Sequence, residues 1–441
     1  MSHLQIHQSR SRPPTSYEST FAAELERVYA TGAADPAALA AGLNTGGTRP
    51  PDGGDWTAES VVAELARLGA DGAAPPAPLA LDPAGERAGR PGTAAELLAR
   101  GLPDQWYALC PSAAVPSGEL VRLHRAGIDL LLWRDGAGTV HVQRDRCPHR
   151  NAPLSRGVHL GDRVACNYHG VQVDAGGTVV SVPGSPGCAL EGRRAVTTFP
   201  AQERAGAVFA WITEDGTPPA PLALPEQIAA PDWSSFLCYV EWDAPYALSL
   251  DNLMDPMHGA FLHRESHSMF GGKREAVFQV RDTATGFVFE KTDQKAVNFD
   301  WSEWIDDGFQ AVRLDIPYPP SAGPGGPFAI IAMVTPISAG RHAAFFWRCR
   351  KVQGWQRDSW RFLYRTLLEE RHWAVLEQDR VMLEDMPEDA TVREGLYQHD
   401  IALVRVRRLL RNRAERYLRE HREPAPPATG SRPAATAGAA R

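Results

Sequence analysis

Two pairs of potential metal ligands, Cys147-Pro148-His149 and Cys166-Asn167-Tyr168-His169, separated by 16 residues, constrain this chain more than any other feature it has. Each pair offers one thiolate and one imidazole, so the fold must bring two short loops together. The spacing C-x-H…C-x-x-H suits a [2Fe–2S] centre in which one iron takes both sulfurs and the other both ring nitrogens. Neutral imidazoles in place of two thiolates remove negative charge and raise the reduction potential above that of an all-cysteine cluster. The competing reading is a structural Zn²⁺ site, whose ligands more often run C-x₂₋₄-C and then H-x₃₋₅-H. One Cys and one His per loop favours the two-iron arrangement.

At 441 residues the chain exceeds one ordinary core, and two or three domains are expected. With 43% hydrophobic and 22% charged residues it has the composition of a soluble globular protein, and a formal net charge of −7 leaves no footprint for nucleic acid. The first residues, from Met1 to Gln8, lack the apolar core of a secretory signal. No apolar run approaches the ~18 residues needed to span a bilayer. Cys110, Cys188, Cys238 and Cys349 are scattered, which reads as free thiols in a reducing cytoplasm rather than a disulfide framework.

Residues 1–16 are polar and are expected to be disordered. A helical extension over 17–71 follows. It starts with the stripe Phe21, Leu25, Val28 and Tyr29, then a helix opened by Asp35-Pro36 and carrying Leu39 and Leu43. A third helix, capped by Thr57, carries Val61, Val62, Leu65 and Leu68. This stretch is similar, over about 35 residues, to a helical module of serine recombinases. A basic recognition face is missing, so the similarity points to a docking module rather than to DNA binding. Residues 72–101 begin with an Ala/Pro/Gly-rich run and are expected to be a linker. Residues 102–216 hold short β runs such as 129–133, 139–142, 178–182 and 207–212, as in a small antiparallel sandwich. Residues 226–423 mix strands (276–291, 309–316, 328–335, 342–352) with helices, and 424–441 are an expected disordered tail.

A second constellation lies in Asp251-Asn252-Leu253-Met254-Asp255-Pro256-Met257-His258-Gly259-Ala260-Phe261-Leu262-His263. His258 and His263 can meet on one ion if the intervening turn is distorted, which Gly259 permits. Asp255 has a plain structural reading as an N-cap, with Pro256 at the first helical position. Residues 357–386 form a long expected helix with the stripe Trp360, Leu363, Tyr364, Leu367, Leu368, Val375, Met382, Leu383 and Met386, and Asp379 lies on that stripe. A carboxylate facing a core needs a metal or a partner. Two His and one carboxylate with open positions make the facial triad of non-haem Fe(II) oxygenases. A salt bridge from Asp379 to a buried Arg is the alternative.

In this order the motifs resemble the α (oxygenase) subunits of Rieske-type non-haem iron aromatic-ring-hydroxylating oxygenases, over residues 102–420. The resemblance implies that Cys147, His149, Cys166 and His169 hold a Rieske [2Fe–2S] cluster and that His258, His263 and Asp379 hold a mononuclear Fe(II). It makes Asp255 a catalytic carboxylate that bridges a cluster His of one subunit and an iron His of its neighbour in a head-to-tail homotrimer. The implied fold is α+β and multidomain: an all-β Rieske sandwich, then a helix-grip catalytic domain of antiparallel sheet plus long helix. The implied activity uses O₂, and electrons from an NAD(P)H-dependent reductase with or without a ferredoxin. It hydroxylates or oxidatively demethylates a small aromatic or cyclic substrate.

The Asp-Asn-x-x-Asp form of the iron motif leans toward monooxygenases and demethylases. Ring cis-dihydroxylation stays open, as does a non-catalytic electron-transfer or zinc-binding interaction protein. Val171 stands where many relatives have Trp. The expected pocket walls are the strands around Phe328 to Val334 and Phe345 to Trp347, with Phe261, Met269 and Phe270, and His267 as a polar contact. The basic run from Arg405 to Arg419 is either a ferredoxin-docking face or a solvated helix face with Ile401, Val404 and Leu409 inward.

Overall fold

The computed structural model describes residues 8–70, 91–266, 268–269, 271–387 and 389–421. The first seven residues, residue 71, most of the expected linker (72–90) and the expected tail lie outside the described residues.

Short strands between Gln105 and Ile212 form three small antiparallel sheets. Gln105–Pro111 pairs with Ala207–Ile212, which also pairs with Ala201–Arg204. Val121–Arg125, Ile128–Arg134, Val140–Arg144 and Thr198–Phe199 make the second sheet. Val158–His159, Arg163–Ala165, Gln172–Asp174 and Val179–Ser181 make the third. Alternation along Ile128–Arg134 splits its side chains between two cores, Leu130 and Leu132 on one side, Leu131 and Trp133 on the other. The second of these cores also contains Cys147 and Cys166.

The later residues build one seven-stranded antiparallel sheet in the order Trp233–Trp242, Arg341–Lys351, Phe328–Ser338, Gln310–Ile316, Trp301–Asp306, Gly286–Lys291, Phe278–Asp282. Two of these strands, Trp233–Trp242 and Trp301–Asp306, were not expected from sequence, and the expected strand 276–291 is a hairpin. Both faces are covered. Ile331, Phe345 and Trp347 pack on Trp106, Phe209 and Trp211 of the first domain, while Phe236, Trp304, Leu314 and Phe346 face the helices.

Helices α1 (Ser16–Ala30), α2 (Pro36–Gly46) and α3 (Ala58–Gly69) form the N-terminal extension, with Thr15, Asp35 and Thr57 as the N-caps. Helix α4 (Ala94–Arg100), capped by Thr93, corrects the expected linker, whose last turn is ordered by this cap and by burial of Leu97. Residues 8–16 correct the expected disorder: the buried Ser9 donates from its N–H and its Oγ–H to Glu369, at 2.9 and 2.6 Å. Helix α5 (Tyr246–Leu253) leads into the His258 segment.

The expected long helix is present but interrupted. Helix α6 (Gly354–Leu363) passes through a π-turn, Tyr364–Leu368, into α7 (Glu369–Glu384). One inserted residue turns everything downstream by about 100°. Of the stripe's last three residues only Leu383 is buried as expected, while Met382 and Met386 are exposed. Helix α8 (Ile401–Glu420) buries Leu403, Val406, Leu410, Ala414 and Tyr417, so Ile401, Val404 and Leu409 face outward, against expectation. Its basic run is partly neutralised, with Arg407 on Asp251 and Glu394 and Arg413 on Asp306. No helix among the described residues is long and apolar enough to cross a membrane.

The α3–α6 contact is a backbone contact. A Cβ on Gly69 would lie 2.8 Å from Asp358 Cα and from its carbonyl oxygen. Gly69→Ala should therefore cost about 1–3 kcal/mol, read as a lower thermal midpoint of the full chain. An unchanged midpoint would contradict the close approach.

Candidate iron–sulfur and metal centres

The two ligand loops are built to one plan. Cys147 N–H donates to Ala152 O at 2.8 Å and Asn151 N–H to Cys147 O at 2.9 Å. Cys166 N–H donates to Val171 O and Gly170 N–H to Cys166 O, both at 2.9 Å. Both loops turn through a left-handed residue four after the Cys, with φ +58° at Asn151 and +72° at Gly170, which Asn and Gly tolerate best. Asp145 anchors the first loop by accepting Ser155 N–H at 2.7 Å and Oγ–H at 2.6 Å, with Arg122 at 3.4 Å.

The thiols are inside and the imidazoles outside. Cys147 and Cys166 are buried, whereas His149 and His169 are exposed with ring centroids 4.5 Å apart. Burial pushes the Cys147 thiol up to about 11, with the Cys166 thiol adding to the rise and the amides of His149 and Arg150 opposing it. A metal cation held by the two sulfurs would remove that penalty. Sulfur beside sulfur and imidazole beside imidazole is what two irons need, whereas one tetrahedral ion needs all four ligands at one point.

At the second centre, His258 Nε2 and His263 Nε2 lie 3.6 and 3.2 Å from Asp379 Oδ1. Ligand atoms of the three residues fall within 4.8 Å of one another, an arrangement able to hold one metal ion. The other ring nitrogens are tied down: His258 Nδ1–H donates to Asp255 O at 2.6 Å and His263 Nδ1–H to Gln378 Oε1 at 2.8 Å. These bonds fix the tautomer and leave both Nε2 lone pairs aimed at the shared point. The buried Asp379 accepts Asn252 Nδ2–H at 3.2 Å. Burial pushes the His263 imidazole down, but Asp379 and Gln378 prevail and raise it, so the position favours positive charge. Asp379 faces imidazoles and an amide rather than a buried Arg, while its neighbours Glu377 and Glu384 bind Arg380.

The two histidines converge because the chain between them is not a regular helix. His258–Ala260 is one 3₁₀ turn. A Cβ on Gly259 would meet Phe299 Cβ at 3.2 Å and Asn298 Oδ1 at 3.3 Å, so glycine lets this turn sit against the Phe299 strip without displacing either neighbour. Asp255 Oδ1 accepts Met257 N–H at 2.7 Å just before the turn, yet its carboxylate stays a third exposed, with Oδ2 3.8 Å from His258 Nδ1.

A cavity of about 70 Å³ opens on His258, His263 and Asp379 and is walled by Trp242, Met269, Phe299, Leu314, Ile316, Ile330 and Phe346. Met269, Ile330 and Phe346 were expected from sequence. Phe261 is half exposed and lies elsewhere, Phe328 stacks on His372, and His267 and Phe270 lie outside the described residues. Sequence reasoning missed Gln378 and its role on His263. It also missed His342, which holds α5 by bonds to Ser249 Oγ at 2.8 Å and Ala244 O at 2.7 Å.

The small β domain followed by a seven-stranded sheet with helices is the fold of Rieske-type terminal oxygenases. Comparison with known proteins agrees. The Rieske [2Fe-2S] domain family matches residues 105–200, and the vanillate O-demethylase oxygenase C-terminal domain family matches 242–416. A recombinase-like helix-turn-helix domain family matches 1–70. The chain is 33% identical over 221 residues to protein TIC 55, chloroplastic, of Arabidopsis thaliana, covering 48% of this chain and 39% of that one. It is 36% identical over 165 residues to the oxygenase component of chloroacetanilide N-alkylformylase of Rhizorhabdus wittichii, covering 37% and 47%. The matched stretches thus span less than half of these relatives. Crystalline dicamba monooxygenase bound to dicamba shares the fold, with TM-score 0.58 and 23% identity over 72% of this chain and 98% of that one. The terminal oxygenase of carbazole 1,9a-dioxygenase from Novosphingobium has TM-score 0.60 at 21% identity, covering 72% and 94%. Two regions of the chain thus match, in order, a Rieske [2Fe-2S] domain and an oxygenase C-terminal domain, and the relatives that share them are Rieske oxygenase components, whose cofactors are a [2Fe–2S] cluster and a mononuclear iron.

Burial holds the His342 imidazole down, at about 4 against 6.5 for a free side chain. Between those values the unfolded chain binds a proton that the folded one refuses. Stability should therefore fall as pH drops through that window, by roughly 3 kcal/mol. Urea midpoints measured from pH 7 down to pH 4 check this. A His342→Gln chain that lost as much stability over the window would contradict it.

Proposed function

We propose that this chain is the terminal oxygenase of a Rieske mono- or dioxygenase system. In this reading it uses O₂ and externally supplied electrons to hydroxylate or oxidatively demethylate a small aromatic or cyclic substrate. The convergence of His258 Nε2, His263 Nε2 and Asp379 Oδ1 on an apolar cavity carries the proposal. Cys147, His149, Cys166 and His169 hold the cluster, and His258, His263 and Asp379 hold the iron. When bound, the cluster supplies electrons singly and the iron supplies an open site for O₂. The remaining work falls to the protein. Asp255 O and Gln378 keep both imidazoles oriented, Asn252 holds the Asp379 carboxylate, and Trp242, Phe299 and Phe346 exclude water from the substrate's side. Relatives named vanillate O-demethylase oxygenase subunit and dicamba O-demethylase favour oxidative demethylation.

Apolar surface supports a head-to-tail homotrimer. Exposed Val158, Leu160, Tyr168 and Val180 belong to the same small domain as the exposed cluster imidazoles, and exposed Met382, Met386, Val392, Leu396, Tyr397 and Ile401 belong to the iron domain. Tyr397 lies close enough to Asp255 to feel its charge. Two different patches on one chain pair heterologously and close a ring. The Asp255 carboxylate then faces a neighbour's cluster histidine. The electron donor in this reading is an NAD(P)H reductase, directly or through a ferredoxin. The setting is cytoplasmic, with no nucleic-acid or membrane partner, as six cysteines without a disulfide suggest.

Asp379→Ala should keep the cluster's colour and sulfide, lose the mononuclear iron and lower turnover at least about a hundredfold. Asp255→Asn should keep all the iron and lose turnover to a similar extent. Iron and sulfide analysis, with formaldehyde release from a panel of aryl methyl ethers, reads both. Full iron and full turnover in Asp379→Ala would sink the assignment.

A further inference from the structure

We infer that the N-terminal helical module is a clamp that fixes the π-turn in the iron-bearing helix, and through it the position of Asp379. The inference rests on the reading in which Asp379 is an iron ligand. In α6 the buried positions are Ser359, Trp360, Phe362 and Leu363, centred on the Ser359–Leu363 face. An unbroken α-helix would continue that face through 367, 371, 374 and 378, placing Gln378 where Asp379 stands. The π-turn shifts the face by one residue, so that Leu368, His372 and Asp379 point inward instead. A π-turn is less favourable than continued α-helix and needs outside support.

That support comes from the N-terminal module at both ends of the turn. Arg365, inside the turn and buried, donates from Nε to Ser9 O at 3.0 Å and from Nη1 to Gly69 O at 2.8 Å. Glu369, the first residue after the turn, accepts Gln8 N–H at 2.8 Å, Ser9 N–H at 2.9 Å and Ser9 Oγ–H at 2.6 Å. The backbone before α1 and the end of α3 thus hold the inserted residue in place. Helix α1 adds a grip on either side: Tyr29 Oη pairs with Ser359 Oγ at 2.7 Å, and Glu26 pairs with Arg371 one turn beyond.

The same packing speaks against a DNA-reading role for this recombinase-like module. Helix α3 spends its apolar face, Val61, Leu65 and Leu68, inside the protein. The five arginines of residues 8–70 all have partners within the chain: Arg365 O, Glu18, Glu24, Asp55 and Glu64. Phosphate binding needs cations left free for the backbone.

The test is Ser9→Pro in the full-length holoprotein, which removes two of the three donors to Glu369 far from the iron, with Ser9→Thr as the conservative control. The clamp predicts that Ser9→Pro loses mononuclear iron to a chelator about tenfold faster. Its amides over 364–383 should exchange faster, while cluster sulfide and the cluster EPR signal stay unchanged and Ser9→Thr behaves as the unaltered protein. A lower melting temperature with unchanged iron loss would mean a merely structural contact and would overturn the clamp. Should Ser9→Pro not fold, amide exchange of the unaltered holoprotein decides: protection over 365–369 equal to that of α7 supports it, and rapid exchange there overturns it. If the unaltered chain holds no iron beyond the cluster's two, the ligand role of Asp379 fails and the clamp falls with it. If that iron is present and Ser9→Pro keeps it as tightly, the clamp alone fails.

Discussion

Asp379 faces two imidazole nitrogens from inside the protein, and most of the later fold can be understood as what that arrangement requires. A buried carboxylate is costly without compensation. Two imidazoles whose Nδ1 atoms are already committed to Asp255 O and Gln378 turn their Nε2 atoms toward that carboxylate. The three groups therefore call for a cation, and a site that calls for a cation must be held open by the rest of the structure. The 3₁₀ turn at His258, the close pass of Gly259 under Phe299 and the His342 anchor on α5 all serve that end.

The cluster domain solves a different problem. Its sulfurs sit in a dry core while its imidazoles remain at the surface, so charge is handled inside and electrons have a short exit outside. Matching loops, each with a left-handed fourth residue, present the ligands in pairs without long-range strain. The large sheet is covered on one face by this domain and on the other by the helices.

The ligand residues were legible in the sequence because metal chemistry demands particular side chains at particular spacings, and those demands override local propensity. His258, His263 and Asp379 lie within reach of one ion, and His149 and His169 lie side by side, as that spacing leads one to expect. The strand Trp301–Asp306 and the polar arm at Gln8 and Ser9 were not legible, since short segments take their conformation from tertiary partners. The phase of the long helix could not be read either. A periodicity argument assumes 3.6 residues per turn throughout, and one inserted residue at 364–368 moves Met382 and Met386 out. The outward Ile401, Val404 and Leu409 of α8 show the same weakness, since an apolar surface can belong to a neighbouring copy as readily as to the chain's own core.

The most direct test of this account is anaerobic iron and acid-labile sulfide analysis of the purified protein, paired with EPR after reduction. Two different metal centres on one chain predict about three iron and two sulfide per polypeptide, with a low-average-g signal of a histidine-ligated [2Fe–2S] cluster. Zinc in place of iron, or two iron with no third atom that His258→Ala removes, would contradict it.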